Sequence, residues 1–214
     1  MEATTAPRTL IREQPQASEQ PASSVGLSVA DPAPLGLAAF ALTTFVLSMF
    51  NAGLISDAGE PIVFGLALAY GGVAQILAGM WEFKNDNAFG ATAFTSYGAF
   101  WLSFWAFEQF FAKSVPEANV GDAVGVYLIG WGIFTLYMWI ASFRVSVAVN
   151  LVFLLLTITF LLLGIGDSAA NDSLVKAGGW CGLATAAVAW YASFAVVTNK
   201  TFGRVVLPVK PLHD

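Results

Sequence analysis

The chain has 214 residues, 57% of them hydrophobic and only 11% charged, with a formal net charge of -5 and a mean hydropathy of +0.70. Ordinary soluble domains carry roughly 25% charged residues, so this composition argues against a water-soluble fold. The pI near 4.7 and the lack of any Lys/Arg cluster argue against nucleic acid or an anionic lipid surface as a partner.

Residues 1–30 are rich in Ala, Ser, Thr, Pro, Gln and Glu, are interrupted by Pro7, Pro15 and Pro21, and contain no apolar signal-peptide core. They read as a disordered tail. From Asp31 onward the charges act as punctuation. A bilayer core about 30 Å thick needs roughly 20 apolar residues to cross as a helix, and six charge-free runs of that length follow. The expected fold is therefore an all-α integral membrane protein with six transmembrane helices, near 34–55, 61–82, 92–112, 122–142, 145–166 and 175–198. These fill one transport domain over 31–200, followed by a C-terminal tail over 201–214.

Basic residues orient the bundle. Arg8, Arg12, Lys84, Arg144, Lys200, Arg204 and Lys210 fall on the side of both termini, against only Lys113 and Lys176 opposite. Both termini are expected in the cytoplasm.

The first span opens after Asp31-Pro32-Ala33-Pro34, an acidic cap candidate with prolines where a helix tolerates them. Within it Phe40, Thr44, Leu47 and Asn51 share one helical face, with Thr43 beside it. Such a stripe suits the lining of a passage. The structural alternative has the threonine hydroxyls bonding to the preceding turn and Asn51 gluing two helices.

In the second span Gly65, Gly72 and Gly79 recur every seven residues, a strip that lets helix backbones approach in lipid. Gln75 and Glu82 project along the same seam. Gln75 is deep enough to need a partner. Glu82 is a candidate proton relay or gate, with a solvated ion pair to Lys84 as the plainer account. In the third span Tyr97, Trp101, Phe104 and Glu108 share a face, and the Tyr97 hydroxyl must find a partner or line a path. The sixth span carries a second small-residue strip, Gly178, Gly182, Ala186 and Ala189. It also holds the only cysteine, Cys181, expected as a small buried hydrophobe.

No Lys or Arg occupies the interior of any span. A dehydrated carboxylate would meet no cation there, at a cost of about several kcal/mol. The solute must stay hydrated, be held by neutral donors, or cross as the protonated acid. Enzyme signatures are missing: the only histidine, His213, lies in the tail, no P-loop is present, and the carboxylates form no di-metal cluster. No catalytic residue, metal or cofactor is expected.

The motifs then resemble a known family. Asp31-Pro32-Ala33-Pro34-Leu35-Gly36-Leu37 with Phe40 and Thr43-Thr44 is similar to the Asn-Pro-Ala-Pro-Leu-Gly-Leu signature of the succinate-acetate permease family, the acetate uptake transporters. The likeness continues through Tyr70-Gly71-Gly72, Ala74-Gln75, Ala78-Gly79, Glu82, Thr92-Ala93-Phe94-Thr95-Ser96-Tyr97-Gly98, Phe100-Trp101-Leu102, Gly125-Val126-Tyr127-Leu128 and Phe202-Gly203-Arg204, in order over about residues 30–208. The resemblance implies a homo-hexamer with one pore per protomer, carrying acetate and sometimes succinate or other short monocarboxylates, by channel or proton symport. It also implies a hydrophobic constriction at Phe40, Tyr97 and Leu156. Thr43, Thr44, Asn51, Gln75 and Trp101 would flank that constriction as the substrate path. Asp31 departs from the family's Asn and adds negative charge at the presumed cytoplasmic entrance. Two other readings stay open on the residues: a channel for a small neutral solute such as urea, an amide or ammonia, and a membrane scaffold or sensor without throughput.

Overall fold

The computed structural model describes Met1 and residues 29–212. Most of the expected N-terminal tail, and His213, lie outside the described residues. Six long helices follow one another: α1 (Ala33–Asn51), α2 (Ile62–Lys84), α3 (Ala88–Ala106), α4 (Glu117–Ser142), α5 (Val147–Ser168) and α6 (Asp172–Phe202).

Local chemistry sets their ends. At α1 the cap position is Pro32, and Asp31 stands one residue earlier, its Oδ1 accepting the Ala33 N–H at 3.0 Å. The helix stops at Asn51, before the expected 55, because Gly53 turns into the left-handed region at φ 69° and a 3-10 turn over Asp57–Gly59 leads to α2. Asn87 accepts the Gly90 N–H at 3.1 Å and starts α3 four residues ahead of the expected 92. Beyond Ala106 the chain widens into a π-helical turn, Phe107–Phe111. Ser146 and Asn171 cap α5 and α6 through Val149 and through Ser173 and Leu174. A second π-helical segment, Ala69–Ala74, interrupts α2; such bulges concentrate at functional sites.

Among the described residues, five helices are long and apolar enough to cross a membrane: all but α3. Thr92, Thr95, Ser96, Tyr97 and Ser103 lower the hydropathy of α3. Its side chains Phe94, Tyr97, Phe100 and Trp101 are buried, while Thr92, Ala99 and Ser103 stay exposed, so one side of the helix packs into the protein.

The packing pairs α1 with α6, α5 with α4 and α6, and α2 with α3. The α2–α3 contact is backbone-close: a Cβ on Gly98 would sit 2.9 Å from the Gly72 carbonyl, and one on Gly79 would be 2.6 Å from the Thr95 nitrogen. Gly65 is different from its heptad mates, since nothing lies within 4 Å of its Cβ position. On α6, Gly179 lies against the Asn51 and Ala52 backbone, Gly178 against Leu163 and Gly182 against Ser48. Cys181 is half-buried, its Sγ donating to the Leu155 carbonyl at 3.3 Å.

After Phe202 the chain folds back rather than trailing away. Asn199 Oδ1 accepts the N–H groups of Val206 and Leu207, Tyr191 donates to the Pro208 carbonyl at 2.8 Å, and Pro211 forms a β-bridge with Ser146. This strap ties the α4–α5 turn to α6.

Candidate permeation path

Phe40 of α1, Tyr97 of α3 and Leu156 of α5 belong to one buried cluster, with exposures of 5%, 3% and 3%. The Phe40 and Tyr97 rings are 5.8 Å apart. Phe153, one turn before Leu156, lies 6.0 Å from Tyr97, and Phe134 meets Tyr97 edge-on at 5.4 Å. Aromatic pairs at such spacings favour tilted and edge-on arrangements, so the cluster is a set of interlocked rings and one branched aliphatic. The Tyr97 hydroxyl donates to Thr135 Oγ1 at 3.0 Å, and Thr135 donates onward to the Trp131 carbonyl at 2.7 Å. That chain fixes the ring's tilt from α4, a contribution the sequence did not reveal.

A cavity of about 400 Å³ opens where α1 ends and α2 begins, where α3 ends and α4 begins, and where α5 ends and α6 begins. This is the end of the bundle remote from both helical termini of the chain. Leu47 and Asn51 contribute to its wall together with Phe100, Phe104, Tyr127 and Leu128. Leu47 and Asn51 lie on the α1 face that carries Thr44 and Phe40, and the lining residues Phe100, Leu128 and Leu163 belong to the same buried cluster as Phe40, Tyr97 and Leu156. Tyr127 donates to the Phe100 carbonyl at 3.1 Å and pairs with Ser103 at 2.7 Å.

Three carboxylates also line the cavity: Glu60, Glu108 and Asp167. The Glu60 carboxyl is raised above its ordinary value, first by burial, then by the negative charges of Glu108, Asp57 and Asp167. As span-end charges these residues read as punctuation; their convergence is tertiary.

The flanking polar residues divide into two sets. Thr43 bonds back to the Ala39 carbonyl at 2.9 Å and packs at Gly71 with Trp101, whose Cδ1 would be 2.9 Å from a Cβ there. Thr44 does not bond back: its buried hydroxyl has no partner, and neither has Trp101 Nε1. Gln75 is fully buried with both amide atoms unpartnered. Glu82 is 1% exposed. Its Oε2 accepts from Asn87 Nδ2 at 2.9 Å and its Oε1 has no partner, so the side chain is turned inward and not solvated beside Lys84. Each buried, unpartnered polar group costs about 1–3 kcal/mol, a burden that points to contact with something polar.

Helices of membrane-crossing length packed around a buried aromatic cluster define a helical membrane protein. The model of the GPR1/FUN34/yaaH family matches residues 14–214, and the chain belongs to that family. It is similar to the succinate-acetate/proton symporter SatP of Escherichia coli, 42% identical over 185 residues, covering 86% of this chain and 97% of that protein. It is also similar to Ammonia transport outward protein 2 of Saccharomyces cerevisiae, 42% identical over 176 residues, covering 80% of this chain but 62% of the yeast protein. Among solved structures, the bacterial acetate channel SatP superposes with a TM-score of 0.80 at 42% identity, covering 85% of this chain and 99% of that one. The chain is an integral membrane protein whose bacterial relatives are named for acetate transport.

Proposed function

We infer that this protein moves acetate, and other short carboxylates such as succinate, across a membrane between Phe40, Tyr97 and Leu156. The observation that carries the reading is the cavity, with Asn51 and Leu47 of α1 in its wall, that borders the buried cluster of Phe40, Tyr97 and Leu156, a cluster without a Lys or Arg. The unpartnered Thr44 hydroxyl offers a neutral hydrogen bond one turn from Phe40, with Asn51 toward the cavity and Trp101 packed beside Thr43. Thr43 supplies polarity from the α1–α2 contact, Gln75 from the α2 face that meets α3, and Glu82 stands at the opposite end of α2 as an ionisable relay.

A carboxylate anion entering past Glu60, Glu108 and Asp167 meets like charge, and at the plug it meets no cation. Both features favour a solute whose charge is compensated by a proton. Chemistry on the solute is not part of this reading: the protein works by passage, not catalysis.

On this reading residues 31–200 form one transport domain of six crossings in the plasma membrane, and the basic residues on the side of both termini support a cytoplasmic location for both ends. The outward rows Leu77, Met80, Trp81 and Phe83 of α2 and Trp180, Phe194 and Val197 of α6 suit contact with lipid and with neighbouring protomers of a hexamer, each with its own path.

The test is uptake of labelled acetate into sealed proteoliposomes, with urea and ammonia as competitors. Acetate uptake above empty vesicles, blocked by short carboxylates and not by the neutral solutes, supports the reading. Uptake that urea or ammonia blocks instead supports a neutral-solute channel, and no uptake at any pH leaves a scaffold.

A further inference from the structure

Among the described residues, buried side-chain polar atoms without a partner occur on Thr44, Gln75, Glu82, Thr95, Trp101 and Trp139. Thr44 and Trp101 border the solute path, and Trp139 stands alone on α4. The remaining Gln75, Thr95 and Glu82 share a different place, the seam between α2 and α3.

Gln75, Gly79 and Glu82 fall at i, i+4 and i+7 on one face of α2. Thr95 of α3 is pressed against Gly79, its nitrogen 2.6 Å from the Cβ position there. Thr95 therefore lies between Gln75 and Glu82 along the helix axis, over a span of about 10 Å at 1.5 Å rise per residue. Gly90 closes the seam's lower wall: a Cβ there would be 2.8 Å from Glu82 Cδ and Oε1. The absence of side chains at Gly79 and Gly90 is what lets the polar groups sit at this interface.

Glu82 is the one Asp, Glu, Lys or Arg in the buried class among the described residues. Asn87 satisfies one carboxyl oxygen, and the other faces the seam. The charged group that reaches it from a neighbouring element is Asp31, ahead of α1; Lys84 and Asp86 follow on its own connection. Among the described residues no Lys or Arg is buried beside it, so the free carboxyl oxygen has no cation to pair with.

We propose that the α2–α3 seam is the proton site of this transporter, distinct from the solute constriction: Glu82 binds the proton, and Thr95 and Gln75 are the neutral hydrogen-bonding groups that lead to it from mid-membrane. The proposal rests on the acetate reading above. Thr95 suits the role because a hydroxyl donates and accepts at once, and Gln75 offers both functions from a fixed amide. The Phe40–Tyr97–Leu156 cluster lies on the other face of α3 and contains no carboxyl, imidazole or amine that could take up and release a proton near neutral pH.

Thr95→Val and Glu82→Gln, both close in size to the original residue, test this in full-length protein reconstituted in liposomes. Two readings are compared, each after subtraction of empty vesicles: acetate–acetate exchange at equal pH, and acetate accumulation driven by a pH gradient with voltage held at zero. The expected result is exchange within about twofold of wild type in Thr95→Val and at least about a tenfold loss of gradient-driven accumulation in both variants. Accumulation retained in both variants overturns the proposal, since the solute would then cross as its own protonated acid. Exchange lost in step with accumulation in variants that elute as wild type also overturns it, because the two routes would not be separate. Wild-type protein that exchanges acetate but never accumulates it on a pH gradient overturns the proton site and leaves acetate permeation standing. A wild type with neither activity overturns the acetate reading itself.

Discussion

Replacing Tyr97 in two ways separates its ring from its hydroxyl. Tyr97→Phe keeps the ring against Phe40, Phe134 and Phe153 and removes only the donor to Thr135. One net hydrogen bond is worth about 1 kcal/mol, so stability falls by about that much and acetate selectivity stays close to wild type. Tyr97→Ala removes a ring that is 3% exposed and costs about 3–5 kcal/mol by the usual scale of aromatic truncation. It also opens apolar space on the path. Each extra methylene that fits such a space gains about 0.8 kcal/mol, about fourfold, so butyrate relative to acetate rises by about fifteenfold. The assay is initial uptake of the two labelled carboxylates into proteoliposomes at equal protein. A butyrate-to-acetate ratio unchanged in Tyr97→Ala would remove the ring from the path and refute the reasoning.

Other changes have definite outcomes. Gly98→Ala forces a methyl toward the Gly72 carbonyl at 2.9 Å; a loss of about 1–3 kcal/mol is expected in detergent melts, whereas Gly65→Ala, with open space around it, leaves Tm unchanged. Glu60 has a folded-state value raised above 4.5, so the native state binds its proton more tightly than the unfolded chain does. Its favourable contribution is full below about pH 4.5 and is lost as pH rises through the folded value. Glu60→Gln should therefore be more stable than wild type at neutral pH, with the gap closing in acid, and should pass the acetate anion faster; equal melts across pH would contradict this. Asp31→Asn keeps an oxygen for the Ala33 N–H, so its Tm should match wild type, and a faster anion flux from the terminal side would trace to the lost charge alone.

The local signals and the tertiary ones differ in how far they could be read. Charge punctuation found the helices because carboxylates and lysines gather at their ends, but it misplaced the start of α3, where a neutral residue, Asn87, makes the cap. The heptad glycines of α2 announced close packing, yet only Gly72 and Gly79 meet α3, because a strip marks a face and not the length of the partner. Along α1, spacing alone put Leu47 and Asn51 on the face that borders the cavity. The acidic wall of that cavity was hidden, since Glu60, Glu108 and Asp167 stand at the ends of three separate spans. Thr135 was equally hidden: nothing local in α4 says that its hydroxyl receives Tyr97. The fold-back of Val206–Pro211 depends on Asn199 and Tyr191, which read as ordinary polar residues of a helix end.

The central claim, that the solute passes between Phe40, Tyr97 and Leu156, is tested most directly by filling that gap. Labelled-acetate uptake is measured for wild type and Leu156→Trp, matched for reconstituted protein and for elution on size exclusion. The account predicts uptake above empty vesicles for wild type and at least about a tenfold loss for Leu156→Trp, equivalent to about 1.4 kcal/mol or more of added barrier. Equal uptake by the two proteins would contradict it.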